Sequence, residues 1–203
     1  PAKINLDYDL SITKSKQKIC KDKMLNLGIG PESWFVCLHV RESGFRVDKN
    51  RREYRNSDIL NYIPAIKEIT KVGGIVVRMG DSTMEHLPEI SNVIDYPFSK
   101  YKSELMDLYL IKNCRFYIGT DSGIMDTAKM FCKDTLITNM VQWLFAYPYR
   151  PRDRGIHKHV YSKLKGRFLT YSEILNSDWR MQALFGNIDD NYDLIENTPD
   201  DIK

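Results

Sequence analysis

Apolar residues in this chain gather in short unbroken runs rather than in alternation. Such runs occupy 34–40, 74–79, 93–96, 115–118 and 135–138. Between them the apolar positions recur at helical spacing, over 57–71, 99–113 and 124–132, with a shorter helix expected near 83–88. Buried strands that alternate with helices predict an open, mainly parallel sheet, because parallel neighbours need a crossover and each strand is then covered on both faces. The expected fold class is α/β, a doubly wound Rossmann-like sheet. Residues 1–30 form a polar, lysine-rich lead-in, an irregular strand and a short helix stopped at Gly28-Ile-Gly-Pro31. The domain is expected over 31–188, with 140–168 as a long surface excursion, a helix after a Thr170 or Ser172 cap with Glu173 close behind, and an acidic tail over 189–203 that frays or docks on a partner region.

Composition narrows the class. With 203 residues, 42% hydrophobic and 28% charged, the chain can bury a core and is far from disorder or a disulfide-stapled miniprotein. Thirty Lys and Arg against 27 Asp and Glu give a net charge of +3, too little to make nucleic acid the default partner, although the basic stretch 149–167 keeps that reading as a weak third. Every apolar run falls short of the ~20 residues of a spanning helix. Cys20, Cys37, Cys114 and Cys132 form no CxxC pair, and free thiols in a reducing cytoplasm are expected. The chain opens on Pro1 without a leader, which suggests part of a longer protein.

In a parallel sheet the ligand lies outside the carboxyl ends of the strands. The residues there are His39, Arg41, Glu42, Gly44 and Arg46 after the first run, Arg78 and Asp81 after the second, Asp95 and Tyr96 after the third, Gly119-Thr120-Asp121-Ser122-Gly123 after the fourth and Asn139 after the fifth. A strand leading through that glycine-flanked turn into a helix offers amides and hydroxyls to a phosphate, or Asp121 or Ser122 simply caps the helix. Arg41 can hold two phosphate oxygens at once, or pair with Glu42. Asp107, in a nearly apolar helix, needs a partner or a ligand. His39 is a core histidine or a site residue. No metal-ligand spacing is present; Asp7 and Asp9 have chelating spacing but lie in the irregular lead-in.

The motifs FVCLHVRESGFR (35–46), RNSDILNYIPAI (55–66), GGIVVRMGD (73–81), DYPFSKYKSELMD (95–107) and CRFYIGTDSGI (114–124) resemble the nucleotide-sugar half of a two-domain GT-B glycosyltransferase, in particular a group from bacterial surface-carbohydrate gene clusters. The HxR and GTDSG elements are similar to those of GDP-fucose-dependent fucosyltransferases and of heptosyltransferases. The resemblance implies a nucleoside diphosphate sugar as donor, a glycan or lipid-linked acceptor, no cofactor and no metal. It implies a second half preceding Pro1 and a cytoplasmic site of action, with peripheral contact to the inner membrane left open. Arg41 would bind the donor diphosphate, Ser122 and the adjoining amides its phosphates, and Asp81 and Asp95 the sugar or nucleoside, with Asp107 as a brace. Glycosyl transfer places growing negative charge on the departing diphosphate and needs a base for the acceptor hydroxyl; Arg41, Arg46 and the helix beginning near Ser122 are candidates for the first, and Glu42 and Asp81 for the second. A non-catalytic sugar-nucleotide or phospholigand-binding module is the rival reading.

Overall fold

The computed structural model describes residues 11–45, 53–142, 148–185 and 188–203. Six parallel strands make the main sheet: β1 (Phe35–His39), β2 (Ile75–Arg78), β3 (Val93–Asp95), β4 (Tyr117–Thr120), β5 (Thr135–Met140) and β6 (Arg154–His157). Their order is β3-β2-β1-β4-β5-β6. The chain therefore winds outward from β1 to β3, crosses back to β4 beside β1, and winds outward the other way. At that reversal the flanking connections leave in opposite directions and a crevice opens at the carboxyl edge. Register pairs His39 with Gly119 directly across it.

Helices α1 (Lys14–Asn26), α3 (Glu104–Asn113) and α4 (Gly123–Met130) share one core cluster, in which Cys20, Met106, Leu110, Met125 and Ala128 meet Phe35, Cys37, Tyr117 and Ile137. Helix α2 (Ile63–Lys71) belongs to the other, where Ala65 and Ile66 meet Val36, Leu38, Val76 and Ile118. Successive strand residues feed opposite clusters, as the pleat requires. That is why the runs are unbroken in sequence. Cys20, Cys37 and Cys114 are buried free thiols, and Cys132 is exposed.

Three expectations change. Residues 83–88 form no helix: the Asp81 carboxylate accepts the Thr83 amide at 2.8 Å, and that local turn competes with helix initiation. The helix expected from 57 begins as a 3-10 turn at Ile59–Tyr62, where the Asp58 side chain accepts the Leu60 amide, and becomes α-helical only at Ile63, with Pro64 in the first turn. The stretch 140–168 is more than a surface excursion, since it supplies β6 and two strands of a second sheet.

That second sheet is antiparallel, β7 (His159–Ser162) lying between β8 (Arg167–Phe168) and β9 (Tyr192–Ile195). Helices α5 (Tyr171–Leu175) and α6 (Trp179–Phe185) pack with it around Trp179, Val160 and Ile174. Thr170 is the cap of α5, in a capping box with Glu173. The acidic stretch is docked rather than frayed: after β9 it forms α7 (Pro199–Ile202), which packs on α2 and buries Ile202. Asn139 and Asn197 fasten it, each side-chain oxygen accepting the other's main-chain N–H, at 2.6 and 2.7 Å.

Candidate functional site

The crevice is built from the ends of β1 and β4. Gly119 has φ +156°, and a Cβ there would collide with the His39 carbonyl oxygen, so only glycine lets the two strand ends approach this closely. One residue on, the buried Thr120 hydroxyl accepts the Arg41 main-chain N–H at 2.9 Å. This long-range bond fixes Arg41 against the turn that opens α4. Its guanidinium, half-buried, donates through Nε to Asn56 Oδ1 at 3.1 Å. The pairing of Arg41 with Glu42 considered from sequence does not occur, because both Glu42 oxygens are engaged elsewhere: one by Arg78, the other by the Glu85 amide at 2.9 Å.

Ser122 occupies the cap position of α4 with extended backbone, yet makes no side-chain capping bond. Its hydroxyl lies 3.2 Å from His39 Nδ1 instead. The first-turn amides of a helix have no intrahelical acceptors, so an uncapped amino end presents donors and the positive pole of the helix dipole. Gly123, the first helical residue, borders open space where a side chain would stand. Burial, helped by the nearby Arg78 and Arg41, pushes His39 down to about 4 against the opposing Asp81, so its imidazole is neutral at neutral pH. With Nε2 protonated, Nδ1 accepts the Ser122 O–H.

Asp121 is buried and faces inward. Arg55 donates to both its carboxylate, at 2.9 Å, and its carbonyl, at 2.7 Å, while the second carboxylate oxygen is buried without a partner among the described residues. Burial raises the Asp121 pKa above the ordinary carboxylate value, and Arg55 opposes that rise. Arg55 and Asn56 belong to the quoted RNS motif, but strand-end counting could not assign them a role. They come from the segment before α2 and reach the crevice through folding alone.

Most of the other expected contacts are engaged within the protein itself. Arg78 is fully buried (0% exposed), paired with Glu42 and with Asp95 at 3.0 Å, so it is a structural hub and cannot touch a ligand. Asp95 also accepts the Leu87 amide at 3.0 Å. Asp81 bonds its own Thr83 turn through one oxygen and stays close enough to the crevice to act on His39. Tyr96 is fully buried, its hydroxyl accepting the Ser103 amide at 3.1 Å, and burial drives its pKa upward. Asp107 pairs with Lys102 beneath that turn. The close approach at Gly44 is to Thr83, which joins the loops after β1 and β2. Asn139 is buried and clasped to Asn197. Arg46, Asp7 and Asp9 lie outside the described residues. Among the described residues, no group of three or more His, Cys, Asp and Glu side chains could hold a metal ion, and no helix is long and apolar enough to cross a membrane.

A glycosyl transferase of family 9 from Veillonella parvula superposes on 73% of this chain with a TM-score of 0.53 at 11% identity. The shared fold is Rossmann-like. The match spans 42% of that protein's length, so this chain corresponds to less than half of it. A β-Kdo 2,4 transferase, KpsC from Thermosulfurimonas dismutans, aligns over 84% of this chain and 65% of its own at 13% identity, with a TM-score of 0.42. No family model matches the sequence, and no curated protein does. The six-stranded parallel sheet flanked by helices is thus an α/β fold found in glycosyltransferases.

Proposed function

We propose that this chain is the donor-binding half of a glycosyltransferase that takes a nucleoside diphosphate sugar. One observation carries the reading: the Arg41 main chain is tied to Thr120 at the point where the uncapped amino end of α4 opens into the crevice between β1 and β4. A guanidinium and a set of helix amides converging on one edge suit a diphosphate, whose negative charge grows as the glycosidic bond breaks. Such donors are held in place before the reaction and cost no reorganisation during it. Arg41 neutralises the leaving group, α4 receives the phosphate oxygens, and transfer then needs no divalent ion. Both Glu42 oxygens are committed to Arg78 and the Glu85 amide, whereas Asp81 bonds its loop through one oxygen only, so the acceptor hydroxyl loses its proton to Asp81 or to a base from a second half. The commitment of Glu42 favours the second reading, a sugar-nucleotide-binding module without chemistry of its own.

Calorimetric titration of the chain with nucleoside diphosphates and their sugars, with and without EDTA, tests the proposal. Saturable binding unchanged by EDTA is expected. Affinity abolished by EDTA would move the site to the metal-dependent class, and absence of diphosphate binding would overturn the reading.

A further inference from the structure

Asp121 stands one residue ahead of the α4 cap, at the place where the diphosphate of the preceding section would arrive. Its side chain is 9% exposed, and its ion pair among the described residues is with Arg55, itself 10% exposed. Arg55 spends a single nitrogen, Nη2, on both the carbonyl and one carboxylate oxygen of Asp121. The other oxygen, Oδ2, is buried and accepts nothing among the described residues. An ionised carboxylate has room for about four hydrogen bonds, so this one sits out of water with most of its acceptor capacity unmet. Such a site disfavours the charged form, and burial does raise the Asp121 pKa.

The charged groups around it come from several elements. Arg55, from the segment before α2, and Arg41, after β1, support the ionised form, whereas Asp126 in the first turn of α4 opposes it. Lys129, farther along α4, also feels the Asp121 charge. Tyr117 on β4 keeps its proton, since burial drives its pKa upward and Asp121 adds to the rise. His39, joined to the turn through Ser122, is neutral at neutral pH. An anion that claims the guanidinium charges of the crevice withdraws the support that keeps Asp121 ionised and adds negative charge beside it. No contact between anion and Asp121 is needed, because charges act on one another across a poorly screened interior.

We propose that the crevice takes up its diphosphate together with a proton, and that Asp121 is the group that receives the proton. It passes from solvent to a carboxylate oxygen, which leaves two guanidinium charges facing the two negative charges of a sugar-linked diphosphate; the ionised carboxylate would cancel one of them. That the anion is a diphosphate rests on the glycosyl-transfer reading, whereas the assignment of the proton rests on the Arg55–Asp121 geometry. By reciprocity, acid strengthens anion binding by as much as the anion strengthens the hold of Asp121 on its proton.

The test is calorimetric titration of the chain with UDP-glucose and with GDP-mannose, whose phosphates each carry one fixed negative charge. It is run from about pH 7.5 to 5.5, at each pH in two buffers of different ionisation enthalpy, so that the dependence of the heat on the buffer counts protons. Net proton uptake is expected, with affinity climbing at least about threefold as the pH falls across that range. Asp121→Asn should abolish the uptake and level the pH profile, whereas His39→Gln should keep the uptake. In the wild-type chain, carboxyl NMR should show Asp121 titrating above the ordinary value of ~3.9 and moving further up when nucleotide is bound; these measurements decide if Asp121→Asn does not fold. Binding without proton uptake, uptake that persists in Asp121→Asn, or an Asp121 carboxyl titrating at or below the ordinary value would overturn the inference and leave the donor reading intact. Binding of neither nucleotide at any pH would overturn the donor reading and the coupling together.

Discussion

Two arginines stand at neighbouring strand ends, and their environments could hardly differ more. Arg78, at the end of β2, is wholly buried and gripped by Glu42 and Asp95. Arg41, two residues beyond β1, keeps part of its surface in solvent, with its main chain pinned by Thr120 and its Nε by Asn56. Glu42, adjacent to Arg41 in sequence, turns across to β2 instead. A guanidinium saturated by carboxylates and sealed from water is a rivet between loops, whereas one that keeps part of its surface in solvent is placed where an anion can reach it.

The largest effect that could break this contrast concerns the rivet. Arg78→Met leaves two partly buried carboxylates without their cation, and a loss of about 3–5 kcal/mol in chemical denaturation is expected. Wild-type stability combined with lost nucleotide affinity would exchange the roles of the two arginines. Arg41→Ala comes next: diphosphate affinity should fall by about 100-fold, or ~3 kcal/mol, with the unfolding midpoint nearly unmoved, because a charge-assisted contact is lost and the main-chain bond to Thr120 persists.

Acidification should act through the Arg41 side of the comparison. The folded His39 pKa, about 4, lies below its unfolded value of ~6.5, so the fold favours the neutral ring. That contribution is complete above pH ~6.5 and drains away as the pH falls towards 4, reaching at most about 2 kcal/mol by pH 5. His157, which burial also pushes down to about 4, adds a parallel loss. Thermal melts from pH 7 to 5 should therefore slope downward, and His39→Gln should flatten part of the slope; an identical slope in that variant would place the titration elsewhere. Smallest is Ser122→Ala, expected to weaken diphosphate binding by up to about tenfold with little change in melting temperature, since the wild-type hydroxyl does not cap α4. A fall in melting temperature at constant affinity would make Ser122 a structural residue only.

The central strands were legible because strands covered on both faces leave unbroken apolar runs, and both β1 and β4 sit in the middle of the sheet. Strand β6 was not, since it lies at the edge, pairs only with β5, and reads Arg-Gly-Ile-His with two exposed positions. At the candidate site, the strand-end rule picked out His39, Arg41 and the Gly119–Gly123 turn, which the register of β1 and β4 brings together. It could not tell Arg78 from Arg41, because the partners that bury the first are 36 and 17 residues away in sequence. Nor could it find Arg55 and Asn56, which follow no strand. Their signal was a polar RNS triplet ahead of a helix, identical in sequence to an ordinary loop.

The clasp between Asn139 and Asn197 also sets an order of events during synthesis. Strands β1 to β5 have all left the ribosome while the residues that complete the α2 face, Asn197 and Ile202, are still untranslated, 58 or more positions behind Asn139. At elongation rates of about 5–20 residues per second, that face stays open for some seconds. For that interval the buried amide of Asn139 lacks its reciprocal partner and the apolar surface around Val36, Leu38 and Ile66 is incompletely covered. The nascent sheet is then a template for premature association, and the late arrival of a four-residue helix ends its exposure.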